Sequence, residues 1–347
     1  CVFAHHDAPW LVESRLLGDE EISRCITAGV DKDTILLNPD SLELTALNLL
    51  DEEKVIFVSV MYPILCGLDT LLPMGEFQRE NDSSRFSTTM ILTLRPRSCM
   101  KLGTIALDGE YKEMNPEELE IVAFGSKKRV PRPMARTRCH RRYQFPLSDS
   151  NGPYLCIQGH NGSMTHFEAP NLYAVDFLCP VGTEILAIGD GVIEDVQTGE
   201  SGWGCNVEFL FRWNSMRIRL DDGHFVDYVH IKGTKAGIKI GDRVKAGDVI
   251  GYSGNVGFAP RPHLHIELHK GSSAEDPSIP IEFVSQSGSF TPKAGLYYDS
   301  MGPISGRSWM LEAAESVSEE EGNAQDQEPE IIPMAVEGGE PVPFRVE

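Results

Sequence analysis

The histidines of this chain are concentrated where their spacing suits metal binding. Most of the ten histidines lie between residues 159 and 270. In Pro262-His263-Leu264-His265-Ile266-Glu267 they alternate with apolar residues, which predicts a β-strand. Side chains alternate across a strand, so His263 and His265 project from one face, roughly 7 Å apart at the backbone. Such a pair can bind one metal ion, or one imidazole can bind the ion while the other contacts its water. The same pattern also fits a surface or core-edge pair.

Three further polar residues are candidates for the same site. Asp176, in Tyr173-Ala-Val-Asp176-Phe, is a carboxylate in an apolar strand-like run, and burying it unpaired would be costly. A cation or a hydrogen-bond network is needed to hold it. His166 lies ten positions upstream and could reach Asp176 only through folding. His230, in Asp227-Tyr-Val-His230-Ile, also lies in an apolar run.

The elements around these residues are predicted to be antiparallel strands. Turns at Gly189-Asp190-Gly191 and Asp222-Gly223 separate apolar runs, which is typical of hairpins. The runs predict strands at residues 185–188, 192–196, 206–213, 216–220 and 224–231.

The first 125 residues predict a small β-sandwich without recognisable chemistry. Its predicted strands are 34–37, 42–50, 55–61 and 88–94. Residues 55–74 are apolar enough to suggest a membrane span, but Pro63, Gly67 and Pro73 interrupt them and favour a buried strand. Residues 127–142 carry eight Lys or Arg and predict a solvated linker or a docking site for an acidic surface.

Composition limits the partners. The 347 residues include 31 basic and 52 acidic side chains, so the formal charge is 31 − 52 = −21, which argues against nucleic acid and anionic membranes. Residues 311–347 hold eleven acids and one Arg, and the tail from about 316 reads as disordered. The eight cysteines include no CxxC pair, so no zinc ribbon is predicted, and disulfide pairing stays open. No leader opens the chain; Cys1 would fit a mature lipoprotein or a fragment.

Between residues 154 and 268 the chain contains an ordered series of motifs. The series is Gln158-Gly159-x-Asn161-Gly162 with His166, Tyr173-Ala-Val-Asp176-Phe177-x-x-Pro180-x-Gly182-Thr183, Ala187-x-x-Asp190-Gly191-Val192-Ile193, Tyr228-Val-His230-Ile, Gly241-Asp-Arg-Val-Lys-Ala-Gly247-Asp-Val-Ile-Gly251, Ser253-Gly-Asn255-Val-Gly257 and Pro262-His-Leu-His265-Ile-Glu267. This series resembles the M23 family of zinc metallopeptidases, of the lysostaphin and LytM type.

This resemblance implies a site with one Zn²⁺ ion held by His166, Asp176 and His265. Two imidazoles and one carboxylate would leave a position of a tetrahedral ion open, as catalytic zinc sites do. The resemblance further implies that His263 is the general base and that His230 binds or polarises the transition state. Many members have the first histidine four residues before the Asp, but residue 172 is Leu here. His160 therefore stays an alternative to His166.

The resemblance implies a zinc metalloendopeptidase, a hydrolase that cleaves peptide bonds with metal-activated water. Its expected substrate is the peptide cross-link of bacterial cell-wall peptidoglycan, or another peptide, and its expected location is periplasmic, lipid-anchored or secreted. A non-catalytic LytM-like binding or activator protein is the alternative. A lipoyl or biotinyl carrier domain is disfavoured because Tyr-Ser-Gly-Asn follows Gly251 where a modifiable lysine would be needed.

The predicted organisation is mainly β. We expect a β-sandwich-like domain at 1–126, a basic linker at 127–142, an antiparallel M23-like peptidase domain at 143–285 and an acidic C-terminal extension at 286–347.

Overall fold

The computed structural model describes most of the chain outside its two ends. The described residues are 13–29, 33–60, 64–66, 70–71, 75–77, 85–105, 121–128, 142–162, 164–205, 207–273, 275–286 and 288–308. Antiparallel strands dominate these ranges, which confirms the predicted mainly β class. Within them, no helix reaches the length and hydropathy of a membrane span. The predicted disordered tail lies outside the described residues.

The N-terminal part contains two antiparallel sheets. Its elements are β1 (Glu13–Leu16), α1 (Asp19–Thr27), β2 (Asp33–Leu37), β3 (Glu43–Asn48), β4 (Lys54–Val60), β5 (Ile64–Cys66), β6 (Thr70–Leu71), β7 (Gly75–Phe77), β8 (Arg85–Leu94), β9 (Ser98–Ile105) and β10 (Ile121–Lys128). One sheet has the order β2-β3-β9-β5-β6 with β1 beside β9, and the other has the order β10-β4-β8-β7. Leu44 and Met100 from the first sheet share an apolar core with Val58 and Leu92 from the second, as in a sandwich.

Helix α1 was not predicted from the sequence. Three acidic residues stand in its first turn, where they favour the helix dipole, and the Glu21 carboxylate accepts a hydrogen bond from the backbone N–H of Gly18 at 2.9 Å. Ile22 is buried in a small apolar cluster with Leu17, Leu47 and Leu49, apart from the core that the two sheets share. With nine residues, the helix gives a short apolar pattern that is easily missed among strands.

The second part of the chain is built around one large antiparallel sheet. Its strands are β11 (Tyr154–Gln158), β12 (Val175–Leu178), β13 (Glu184–Leu186), β14 (Gly191–Gln197), β15 (Ser215–Leu220), β16 (Phe225–Val229), β17 (Ile231–Thr234), β18 (Arg243–Val244), β19 (Val249–Ser253), β20 (His263–His269), β21 (Ser278–Ile279), β22 (Phe283–Ser285), β23 (Gly288–Phe290), β24 (Leu296–Asp299) and β25 (Gly302–Ser308). The large sheet has the order β18-β14-β15-β16-β20-β12-β11-β24-β25, and β13-β19-β17 form a smaller sheet. Both contribute to one core, with Phe177 and Ile266 from the large sheet and Ile185 and Ile250 from the small one.

Three predicted local features differ in the structure. The strand predicted at 206–213 is wrong: Val207–Phe209 form a 3₁₀ turn, because Phe209 packs into the N-terminal core while Phe211 stays exposed, so no strand alternation is possible. The strand predicted at 224–231 is broken at His230, whose φ of 62° is left-handed. The Gly189-Asp190-Gly191 turn connects β13 to β14 in different sheets, so it is not a hairpin turn.

The predicted domain boundaries stay predictions, and two of them fall within or beside observed strands. Strand β10 continues to Lys128, two residues into the predicted linker, whose residues 129–141 lie outside the described ranges. Residue 285 falls at the end of β22, which pairs with β23. Strand β24 joins the large sheet by pairing with β11, so ordered structure of this sheet continues beyond the predicted domain end.

Candidate metal centre

Strand β20 separates a buried apolar face from a polar one. Leu264, Ile266 and Leu268 are fully buried in the core of the large sheet. Because side chains alternate, His263, His265, Glu267 and His269 all project from the opposite face. The sequence prediction that His263 and His265 share one face agrees with this arrangement.

Strand β12 brings Asp176 next to this polar row. Val175 and Phe177 point into the core, and Asp176 between them points to the other face. Asp176 is paired in register with His265, so the two side chains lie beside each other on adjacent strands. Their closest atoms, Asp176 Oδ1 and His265 Nδ1, are 2.9 Å apart.

The loop after β11 supplies His166. Asn161 and Thr165 in this loop have φ values of 59° and 67°, which turn the chain back over the sheet. The His166 Nδ1 lies 3.2 Å from the carbonyl oxygen of Gly159. A carbonyl can only accept, so Nδ1 carries the proton and the lone pair of Nε2 points into the site.

The three predicted metal ligands therefore converge. His166 Nε2 lies 3.2 Å from both Asp176 Oδ2 and His265 Nδ1. The edge of a tetrahedral zinc site with bonds of about 2.0 Å is ~3.3 Å, so these separations suit three ligands of one ion. Asp176 Oδ1 is buried and accepts no hydrogen bond from any described residue, so the carboxylate has capacity left for a cation. The residues present thus fit a zinc ion.

His160 is not part of this group of donor atoms. Its ring packs edge-on against Tyr173, with ring centroids 5.4 Å apart. Burial, with a smaller contribution from the nearby His166, lowers the pKa of His160 to about 4. The geometry favours His166 over His160 as the third donor.

His263 and His230 lie next to the three donors. Their ring centroids are 4.6 Å apart, and His263 Nε2 is 3.9 Å from Asp176 Oδ1. The Nδ1 atoms of His263 and His230 both contact backbone carbonyls at 2.7 Å, those of Arg261 and Val256. Both imidazoles therefore carry their proton on Nδ1 and present Nε2 as an acceptor.

Burial keeps these two imidazoles neutral. Burial has the largest effect on the pKa of His263 and lowers it, whereas the neighbouring Asp176 carboxylate raises this pKa. Burial also lowers the pKa of His230 well below its ordinary value, helped by the positive charges that His263 and His265 would carry. A neutral imidazole with a free Nε2 can accept a proton but cannot donate one from that atom. His230 can therefore donate to an oxyanion, the role predicted from the sequence, only after it has been protonated.

His265 differs from the other site histidines because both of its nitrogens face carboxylates. Burial alone would lower its pKa, but the neighbouring Asp176 and Glu267 carboxylates raise the pKa of His265 to about 10. Burial raises the pKa of Asp176, and the surrounding imidazoles His166, His263 and His265 lower it well below its usual range. The metal-free cluster thus holds a proton on His265 that a cation must displace.

Gln158, at the end of β11, is a site residue to which the sequence analysis gave no role. Its Oε1 accepts a hydrogen bond from the backbone N–H of Met164 at 3.0 Å, so its Nε2 is free to donate to Asp176 Oδ2, also at 3.0 Å. This buried amide therefore orients the carboxylate and the loop of His166 together. Its place in the Gln-Gly-x-Asn-Gly motif was the available signal.

The N-terminal sandwich closes one side of the site. Met164 and Phe258 line a cavity of about 30 Å³ together with Asp176, His263 and His265, and both also belong to the apolar core of the sandwich. The Thr89 N–H donates a hydrogen bond to the Cys205 carbonyl across the same boundary. The cavity at the candidate metal centre is accordingly small. Trp203, which is 40% exposed, forms a bridge with Gly257, next to the cavity-lining Phe258.

A family profile and several known proteins match the second part of this chain. The sequence profile described as peptidase family M23 matches residues 171–277. The glycyl-glycine endopeptidase ALE-1 of Staphylococcus capitis is 39% identical over 112 residues, which are 31% of this chain and 28% of that protein. The peptidoglycan DD-endopeptidase ShyC of Vibrio cholerae is 36% identical over 93 residues, 27% of this chain and 19% of that protein.

Among solved structures, the catalytic domain of the antimicrobial peptidase lysostaphin from Staphylococcus simulans is 30% identical. The alignment covers 40% of this chain and 87% of that domain, with a TM-score of 0.26. The chain spans less than a third of the length of ALE-1 and ShyC.

The matched segment contains Asp176, His230, His263 and His265, and it begins five residues after His166. Through the domain that contains this segment, the chain belongs to peptidase family M23.

Proposed function

We propose that this chain is a zinc-dependent endopeptidase that hydrolyses peptide bonds, with cross-link peptides of bacterial peptidoglycan as its substrate class. The observation that carries the proposal is the mutual 2.9–3.2 Å spacing of His166 Nε2, Asp176 oxygens and His265 Nδ1 beside two neutral imidazoles. The similarity to ALE-1, a glycyl-glycine endopeptidase, and to ShyC, a peptidoglycan DD-endopeptidase, supports this substrate class.

His166, Asp176 and His265 would hold the zinc ion. When bound, zinc lowers the pKa of a water molecule from 15.7 to about 7 and polarises the carbonyl of the scissile peptide. The chain's own residues then manage the protons. His263 accepts the proton of the attacking water at Nε2. This atom is free because Nδ1 donates to the backbone carbonyl of Arg261.

The second imidazole completes the proton transfer. The accepted proton makes an imidazole a donor, and the 4.6 Å between the His230 and His263 rings keeps both within reach of one substrate. A protonated Nε2 of either ring can stabilise the oxyanion or protonate the leaving amine. The buried surroundings of both rings exclude competing water.

The test combines metal analysis with cleavage of isolated bacterial walls, comparing the parent chain, His263→Ala and the control His224→Ala. His224 contacts Tyr143 and Asp222 away from the metal centre. All three proteins should contain about one zinc, because the ligand set is intact in each. Turbidity loss and muropeptide release should disappear only in His263→Ala. Equal release by the parent and His263→Ala would refute the role of His263.

A non-catalytic binding or activator role is the second candidate. The observation that favours it is the small volume of the cavity, since about 30 Å³ is far less than the roughly 300 Å³ or more of pockets that hold ligands. A parent protein that retains zinc but releases no muropeptide or cleaved glycyl-glycine peptide would support this role instead.

A further inference from the structure

We infer that Glu267, His269, Asp227 and Arg217 form a positioning network that holds His265 with Nδ1 toward the metal site. This inference rests on the proposed zinc site but not on peptide cleavage. The network begins at the face of His265 opposite the donors, where His265 Nε2 lies 3.3 Å from Glu267 Oε2. A carboxylate can only accept, so Glu267 favours the tautomer with the proton on Nε2 and the lone pair on Nδ1.

Glu267 needs support because it is a buried carboxylate. Its other oxygen, Oε1, lies 3.4 Å from His269 Nε2. His269 is fully buried, and its Nδ1 lies 2.8 Å from the carbonyl of Asp276, which fixes the ring. The His269 Nε2 therefore faces Glu267 and, also at 3.4 Å, Asp227 Oδ2. Among the described residues, Glu267 Oε2 and His269 Nε2 make no regular hydrogen bond, so their contacts in the network are ion pairs, while the Nδ1 contact with Asp276 orients the His269 ring.

Arg217 closes the network at its far end. Its Nε and one terminal nitrogen contact both oxygens of Asp227 at 2.7 and 2.5 Å, a bidentate pair. Arg217 also donates to the carbonyl of Ser272. This cation compensates the buried charge of Asp227 and leaves that carboxylate little freedom to move.

The sheet register builds the network into rigid elements. Arg217 on β15 pairs with Asp227 on β16, and Asp227 pairs with Glu267 on β20. His265 and His269 lie two residues on either side of Glu267, on the same face of the strand. Groups held on strands keep their geometry better than groups on loops, which suits the placement of a metal ligand.

The same residues could also suggest a second metal site. Asp227, Glu267 and His269 offer three donor atoms within 4.8 Å of one another. Arg217, however, occupies both oxygens of Asp227, and a second cation there would lie against the guanidinium. The geometry therefore points to positioning of His265 rather than to another ion.

The experiment measures the zinc affinity of the full chain by competition with a chelator of known affinity. Glu267→Ala should weaken zinc binding by about 10- to 100-fold, as loss of a partner of a metal ligand does. Glu267→Gln keeps an oxygen that can accept from His265 Nε2 and should recover part of the loss. Arg217→Lys, which keeps the charge but loses the bidentate contact, should weaken binding less than Glu267→Ala.

His224→Ala serves as the matched control and should bind zinc like the parent. Visible spectra of the cobalt-substituted proteins report the ligand geometry, and they should change in Glu267→Ala and recover in Glu267→Gln. If Glu267→Ala does not fold, Glu267→Gln and Arg217→Lys still give the ordering of affinities. Parent-like affinity and spectra in the folded variants, or two zinc ions per parent chain, would overturn the inference. None of these readouts depends on peptidase activity, so failure of the proposed function is recognised separately.

Discussion

Leu92 of the N-terminal sandwich and Met164, two residues before His166, face each other in an isolated antiparallel bridge. Both side chains are almost fully buried, in a core that also contains Phe258. The loop that carries a candidate metal ligand is therefore packed against a sheet formed about 70 residues earlier in the chain. The stability of this loop should depend on both parts of the protein.

We predict that Met164→Ala lowers the free energy of unfolding by about 2–5 kcal/mol, because it leaves a cavity at the shared core. Urea denaturation followed by fluorescence measures the change. Met301→Ala is the control, since Met301 is 49% exposed, and it should cost less than about 0.5 kcal/mol. A loss below about 1 kcal/mol for Met164→Ala would show that the two parts do not share a tightly packed core.

Part of this site could be predicted from the sequence, and the reason is periodicity. Leu264, Ile266 and Leu268 form one apolar face, so the shared face of His263 and His265 follows from alternation alone. Asp176 stood out as a polar residue in an apolar run. Both observations concern strands, whose side-chain directions are fixed by a repeat of two.

The remaining features depend on loops and long-range packing, which have no such repeat. The place of His166 follows from left-handed residues at Asn161 and Thr165, and the break at His230 follows from another. Residues other than glycine adopt this conformation rarely, so the sequence gives little warning of it. The 3₁₀ turn at Val207–Phe209 forms because Phe209 finds a partner in the distant sandwich.

Gly254 offers a test of how tightly His230, one of the two proposed catalytic imidazoles, is held. A Cβ atom on Gly254 would lie 2.7 Å from both the carbonyl oxygen of His230 and the backbone nitrogen of Lys232. We predict that Gly254→Ala displaces His230, costs about 1–3 kcal/mol of stability and lowers kcat for peptide cleavage. In Gly233→Ala, a Cβ atom meets nothing within 4 Å, so this variant should keep the parent's kcat. Equal kcat in both variants would mean that the backbone at His230 can shift without effect.

Zinc should stabilise the protein more as the pH rises. In the metal-free chain the pKa of His265 is raised to about 10 from an ordinary 6.5, so its contribution to stability is complete below pH 6.5 and is lost as the pH rises through 10. Zinc must displace this proton, which is easier at higher pH. The increase in Tm caused by a fixed excess of zinc should therefore be larger at about pH 8 than at about pH 6. His265→Gln should show almost no increase at either pH, and equal increases in the parent would contradict the proton competition.

The decline of kcat/KM at low pH should reflect protonation of His263. Burial lowers the pKa of this imidazole below its ordinary 6.5, so the base stays neutral, and able to accept a proton, at pH values where an exposed histidine would be charged. We expect kcat/KM for a peptide substrate to decline only below pH 6.5. Zinc content is measured at each pH, because protonation of His265 also favours release of the ion. If kcat/KM declines above pH 6.5 while zinc remains bound, a group other than His263 limits the reaction, and that group is not His230, because burial lowers its pKa as well.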